Sequence, residues 1–146
     1  MRYYNNLGKM RQARNYSLHD VSRLTGLNRA SLIDYEIGKN PITMKALGLF
    51  VIIFKCLPSE FFSYGSSVTA PKELSSDRYK NMNRRVVQTL KTMKALRKLT
   101  IAEMAVLGGL GIRTVNKIMQ YRMNLNMRHV MCFQRVFDFP LEEILD

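Results

Sequence analysis

The sequence predicts an all-α protein made of two tandem five-helix domains joined by a short linker, and three observations predict it. The first is an internal repeat: residues 1–62 align with 84–145 at a constant offset of 83, without a gap. Arg2/Arg85, Leu7/Leu90, Met10/Met93, Arg14/Arg97, Leu24/Leu107, Gly26/Gly109, Leu27/Leu110, Met44/Met127, Phe50/Phe133, Phe54/Phe137 and Glu60/Glu143 are eleven identities. Unrelated stretches of ordinary composition share roughly three or four at this length. The second is periodicity: apolar residues recur three or four apart in runs that open after Ser, Thr or Asn and close at Gly or Pro. The third is length, since 146 residues fit one large domain or two small ones and the repeat selects the second.

In the first copy, Leu7 and Met10 with Tyr3 form a helical stripe that runs out near Asn15. Ser17 caps a second helix that places Leu18, Val21 and Leu24 at helical spacing. Thr25-Gly26-Leu27 is a turn, with Gly26 available for a left-handed backbone. Asn28 caps a third helix with Leu32 and Tyr35 inward, and Gly38 and Pro41 end it. Thr43 caps a fourth helix through Phe54, and a short fifth follows Pro58-Ser59, contributing Phe61 and Phe62. The second copy repeats the plan. A long first helix ends near Lys98, Thr100 caps a second with Met104 and Leu107 inward, and Gly108-Gly109-Leu110 is the turn. A third helix runs over 112–121, a fourth over 126–137, and a fifth starts at Pro140, where proline costs no helical hydrogen bond.

These elements give domains over 1–62 and 77–146. Between them, 63–76 reads as a linker with Gly65, Pro71 and several serines and threonines. Two arrangements are open: a linker that leaves the domains mutually mobile, or a backward extension of the second copy's first helix over 77–85 that packs them together.

The net charge of +12 is divided between the copies. Residues 1–62 carry nine Lys/Arg against four Asp/Glu, residues 80–146 carry twelve against five, and the segment between is neutral. Two basic bodies on a neutral connector suit a polyanion such as double-stranded DNA; a charge excess that serves solubility is the plainer explanation. Cys56 and Cys132 occupy non-equivalent apolar positions and read as buried thiols. With only His19 and His129 beside them, neither a disulfide nor a metal site is expected. The apolar run Leu47 to Phe54 is too short to cross a bilayer, and the polar start has no signal-peptide pattern, so a cytoplasmic location without membrane contact is expected. No nucleophile elbow, phosphate loop or metal spacing is present; His19 and Asp20 are helix neighbours pointing apart, so no enzyme activity, catalytic residue or cofactor is expected.

The stretch from Ser17 to Lys39 resembles the Cro/C1-type, or XRE, family of bacterial and phage regulators, whose domains have the lambda-repressor-like helix-turn-helix fold. The resemblance covers about Tyr3 to Phe62 and includes the closing Glu36-Ile37-Gly38. It implies a recognition helix over 29–37 that enters the major groove, and a structural ion pair between Arg11 and Glu36. Two departures stand out. The family often has Gln at the start of the second helix, where this chain has Leu18 and Ile101. The second copy replaces the ion pair with Lys94 and Met119 and the glycine with Tyr121, so its membership rests on the repeat.

A helix with an outward polar face fits the major groove, where each base pair shows its own donor and acceptor pattern. In the first copy the outward positions are Arg29, Ala30, Ile33, Asp34 and Ile37. Arg29 suits guanine O6 and N7, Ala30 or Ile33 a thymine methyl, and Asp34 cytosine N4. In the second copy they are Ile112, Arg113, Asn116, Lys117 and Gln120, a richer reading face. Phosphate contacts are expected from Ser17, Asn28, Ser31, Lys39 and Asn40, and from Thr100, Thr114, Arg122 and Asn124. For Ser17, Asn28 and Thr100 helix capping alone is the plainer role. Lys91, Lys94, Arg97 and Lys98 form a basic run that serves either as a solvated face or as a backbone contact. The resulting expectation is a sequence-specific transcriptional regulator, a repressor before an activator. A homodimer or a regulatory protein partner are the further partner classes. The alternative is an interaction module, such as an antitoxin or antirepressor component, in which one copy binds protein; Ile33 and Ile37 motivate it.

Overall fold

The structure is a computed structural model that describes residues 2–64 and 69–146. Among the described residues it is all-helical. In chain order the elements are α1 Leu7–Ala13, α2 Leu18–Thr25, α3 Arg29–Glu36, α4 Met44–Phe54, a 3₁₀ helix Pro58–Phe62, α5 Ser76–Lys80, α6 Met82–Leu96, α7 Ile101–Gly108, α8 Ile112–Met119, α9 Met127–Phe137 and α10 Leu141–Leu145. No helix among the described residues is long and apolar enough to cross a membrane.

Side-chain caps start most of the longer helices. Ser17 Oγ accepts from the Asp20 N–H at 3.0 Å while the Asp20 carboxylate accepts from the Ser17 N–H at 2.8 Å, a reciprocal box that opens α2. Thr100 and Glu103 repeat it at α7. Both carboxyls, Asp20 and Glu103, are held below their usual range, first by the backbone N–H of the cap residue. Asn28, Thr43 and Asn126 cap α3, α4 and α9.

The offset of 83 recurs in the backbone. Left-handed residues come in equivalent pairs: Asn15 with Lys98, Gly26 with Gly109, Gly38 with Tyr121 and Lys55 with Asp138. Arg14 Nε donates to the Phe54 carbonyl at 2.9 Å, and Arg97 donates to the Phe137 carbonyl at 2.9 Å. Ten buried pairs share the offset: Leu7/Leu90, Met10/Met93, Val21/Met104, Leu32/Val115, Ile42/Leu125, Met44/Met127, Leu47/Val130, Phe50/Phe133, Phe54/Phe137 and Phe61/Ile144. These side chains form one continuous buried cluster through both copies.

Several expectations need correction. Tyr3 is not helical: α1 starts only at Leu7, and the Tyr3 N–H is bonded to the Gly38 carbonyl at 2.8 Å, which holds this segment against the end of α3. Leu24 and Leu107 are not inward but 44% and 59% exposed. Val21, three residues earlier, is the one buried position of α2, and Met104 with Ala105 and Gly108 is buried in α7. The first copy's fifth helix is a 3₁₀ turn. α3 ends at Glu36 and α8 at Met119, short of the expected 37 and 121, since Gly38 and Tyr121 turn left-handed just beyond. Of the linker read over 63–76, residues 65–68 lie outside the described residues, and Ser76 already belongs to α5.

The described part of the connector is tied down. The Lys72 N–H donates to the Lys55 carbonyl at 2.8 Å, Arg14 Nη1 to the Thr69 carbonyl at 2.8 Å, and Lys72 Nζ lies 2.6 Å from Glu60 Oε1. α5 and α6 both pack on α4, and the approach needs Gly48: a Cβ there would lie 2.4 Å from the Tyr79 carbonyl oxygen. The backward extension is therefore packed, as two helices broken at Asn81 rather than one.

Candidate nucleic-acid interface

α2 and α3 are joined by Gly26, with φ +76°, and this corner sets α3 on the surface with Leu32 as its buried anchor. Tyr35 packs edge-on against Phe50 and fixes the helix roll. That roll leaves Arg29, Ala30, Ile33 and Ile37 exposed and Asp34 half-buried. The Asp34 carbonyl oxygen accepts from the N–H groups of Lys39 and Asn40, at 2.9 and 3.4 Å, so these two exposed residues sit in the turn that closes α3. Asn28 Oδ1 accepts from the Ser31 N–H at 2.8 Å, while Ser31 itself is half-buried.

Beneath α3, Arg11 Nε lies 2.9 Å from Glu36 Oε1, and Arg11 Nη1 donates to the Tyr16 carbonyl at 3.0 Å. The pair is mostly buried and ties the end of α3 to α1. Gly8 leaves the space for it, since a Cβ at that position would stand 2.9 Å from Glu36 Oε1. Two further residues belong to this end. Arg2 Nη1 donates to the Ile37 carbonyl at 2.8 Å, and Tyr3 covers Gly38 so closely that a Cβ on Gly38 would lie 2.6 Å from the Tyr3 oxygen. Neither Gly8 nor Arg2 was singled out from sequence; the equivalence of Arg2 with Arg85 was the available signal.

α8 is built on the same plan with different materials. Val115, Ile118 and Met119 are buried, and Ile112, Arg113, Asn116, Lys117 and Gln120 are all exposed along one face. Gly111 starts the helix with no side-chain cap, and Thr114 is half-buried beside it. Met119 replaces the carboxylate of Glu36, so the end of α8 is held differently. Tyr121 takes the left-handed backbone at φ 58°, and its ring lies under Lys91 Nζ at 4.7 Å and the Arg84 guanidinium at 5.3 Å. Arg122 and Asn124 are exposed just beyond. Asn124 lines a cleft of about 270 Å³ with Lys45, Lys80, Arg84 and Tyr121, a concentration of positive charge with no acidic residue in its lining. In the basic run of α6, Lys91 is engaged with Tyr121, and Arg97 is engaged with the Phe137 carbonyl and the Phe139 ring.

The electrostatics follow from what these cations lack. Among the described residues the ion pairs are Arg11–Glu36, Lys72–Glu60 and Lys80–Asp77. None involves Arg29, Lys39, Arg113, Lys117 or Arg122, so these five exposed cations have no ion-pair partner among the described residues. Cys56 and Cys132 are free and buried, and burial pushes the Cys56 thiol up to about 12. No family model, curated protein or solved structure matches this chain.

Proposed function

We propose that this chain is a sequence-specific double-stranded DNA-binding regulator of transcription, a repressor, built from two tandem helix-turn-helix domains of the Cro/C1 kind, with α3 and α8 as recognition helices. The observation that carries the reading is the pair of exposed, uncommitted faces at equivalent positions. Each follows a capped helix and a left-handed glycine corner, and each is flanked by free cations at its far end. Arg113 and Lys117 suit guanine edges, Asn116 and Gln120 suit adenine, and Arg29 is the first copy's strongest reader. Ser17, Asn28, Ser31, Lys39 and Asn40, with Thr100, Thr114, Arg122 and Asn124, would hold phosphates on either side. For Ser17, Thr100 and Asn28 the side-chain oxygen already serves as a cap acceptor, which leaves the helix N-termini themselves as the donors.

The test is equilibrium binding to duplexes selected from a random pool. Arg29→Ala and Arg113→Ala should each weaken binding by about 1–3 kcal/mol at particular base positions, and affinity should fall steeply with salt as counterions are released. A selection that returns no enriched sequence sinks the reading. A second reading, in which the first copy binds a protein, is favoured by Ile33 and Ile37, which are 41% and 46% exposed on the α3 face. Loss of DNA binding for Arg113→Ala, with none for Arg29→Ala, would assign the first copy to that role.

A further inference from the structure

The junction between the copies is a backbone bridge between residues that are equivalent in the repeat. Thr43 pairs antiparallel with Asn126, the Met44 N–H donates to the Leu125 carbonyl at 2.8 Å, and the Met127 N–H donates to the Ile42 carbonyl at 2.9 Å. Subtracting 83 from 125, 126 and 127 returns 42, 43 and 44, so the two hydrogen bonds exchange with each other when the copies are exchanged. Only a local two-fold axis has that property; a translation or screw along the chain would join different residues on the two sides.

One further contact repeats the symmetry away from the bridge. The 3₁₀ helix Pro58–Phe62 packs against α10, which is its own equivalent, and Ser59 donates to the Asp146 carboxylate through Oγ at 2.6 Å and N–H at 2.9 Å. The fourth helices α4 and α9 meet the other copy in different ways. Tyr79 and Met82 meet Gly48 of α4, and residues 2–5 line a cavity of about 290 Å³ with Met127 and Met131 of α9, where Met131 is the equivalent of Gly48.

We propose that one chain is a covalent pseudo-dimer whose recognition helices are related by this two-fold axis, so that it reads an inverted pair of unequal half-sites as a 1:1 complex. The proposal rests on the DNA-binding reading above and adds orientation and stoichiometry to it. Because both copies share their internal packing, the operator that superposes 42–44 on 125–127 also carries α3 onto α8 with reversed sense. DNA has its own two-fold axes perpendicular to the helix, and a protein with such an axis presents its two helices to successive major grooves on one face, about 10–10.5 base pairs apart. The basic cleft of Lys45, Arg84 and Asn124 lies beside the bridge, where the phosphates between the half-sites would pass. The half-sites differ because the faces differ: Arg29, Ala30 and Ile33 on one, Arg113, Asn116 and Lys117 on the other.

The full-length chain is the reagent for the test, with selected duplexes read for motif arrangement and the complex weighed by native mass spectrometry. The expected result is two dissimilar elements in inverted orientation, one chain per duplex, with Arg29→Ala relaxing one element and Arg113→Ala relaxing the other on the opposite strand. Both residues are exposed and without ion pairs, so neither change threatens folding. Elements in direct repeat, a single short element, or two chains per duplex would each overturn the pseudo-dimer while leaving DNA recognition standing. A pool with no enriched sequence would remove both.

Discussion

Single residues show how the two copies solve one geometric problem differently. Both need a left-handed residue just after α3 and α8. The first uses Gly38 at φ +77°, the second Tyr121 at φ 58°. Glycine is required in the first because the Tyr3 backbone passes over it, leaving no room for a Cβ. Gly38→Ala should therefore cost more than the ordinary left-handed penalty of about 1–2 kcal/mol, since it also pushes Arg2 and Tyr3 off the end of α3. Tyr121→Gly relieves a penalty of the same order but removes the stacked ring from Lys91 and Arg84, so its net effect should be below about 1 kcal/mol. Urea denaturation of both variants checks this, and equal destabilisation by the two would contradict it. The glycine-for-tyrosine difference was legible from alignment of the copies. Its cause was not, because the chain that covers Gly38 is 35 residues away in sequence, between Tyr3 and Gly38.

At the scale of elements, caps and corners were the most legible features because they are local: Ser17, Asn28, Thr43, Thr100, Gly26 and Gly109 all act on backbone groups within a few residues. Leu24 and Leu107 misled because helical spacing alone does not say how wide a face the neighbours cover. α9 supplies the pH prediction. His129 is buried, and its Nδ1 accepts from the Asn126 N–H at 3.2 Å, which only the neutral ring can do. Burial first, and the charge of Arg128 second, hold its pKa below the ordinary 6.5. Below about pH 6.5 the unfolded chain takes up a proton that the folded chain refuses, so stability is complete above that pH and declines as pH falls towards the depressed value. His129→Gln keeps an acceptor at the same cap position and removes the titration. Thermal melts between pH 7.5 and 5 should lose part of their slope in this variant, and an unchanged slope would remove His129 as the cause. Glu60 titrates in a separate, lower window: burial alone would raise it, but hydrogen bonds from Lys72, Thr69 and the Leu57 N–H outweigh that and lower it from 4.5.

For the whole molecule, the copies were legible as a repeat and their union was not. A sequence repeat states that two segments share a fold; whether they stand apart depends on surfaces that both copies contribute. Here Ile42, Met44, Leu125 and Met127 are buried at the bridge, and the core is continuous across it. A body of about 60 residues is already near the lower limit for an independent core, so removing the partner face from either copy exposes apolar surface that it cannot spare. The full chain should accordingly unfold in one transition, with calorimetric and van't Hoff enthalpies equal. A fragment of residues 1–62 loses α5 and α6 from α4, α10 from the 3₁₀ helix and the Leu125 carbonyl from Met44. It should lack a cooperative melt and show the collapsed near-ultraviolet spectrum of unfixed aromatic rings. Two resolved transitions in the full chain, or a fragment that melts as sharply and as high as the parent, would mean that the copies fold separately. In that case the axis at Thr43 and Asn126 would be too weak to hold the two copies in a fixed relation.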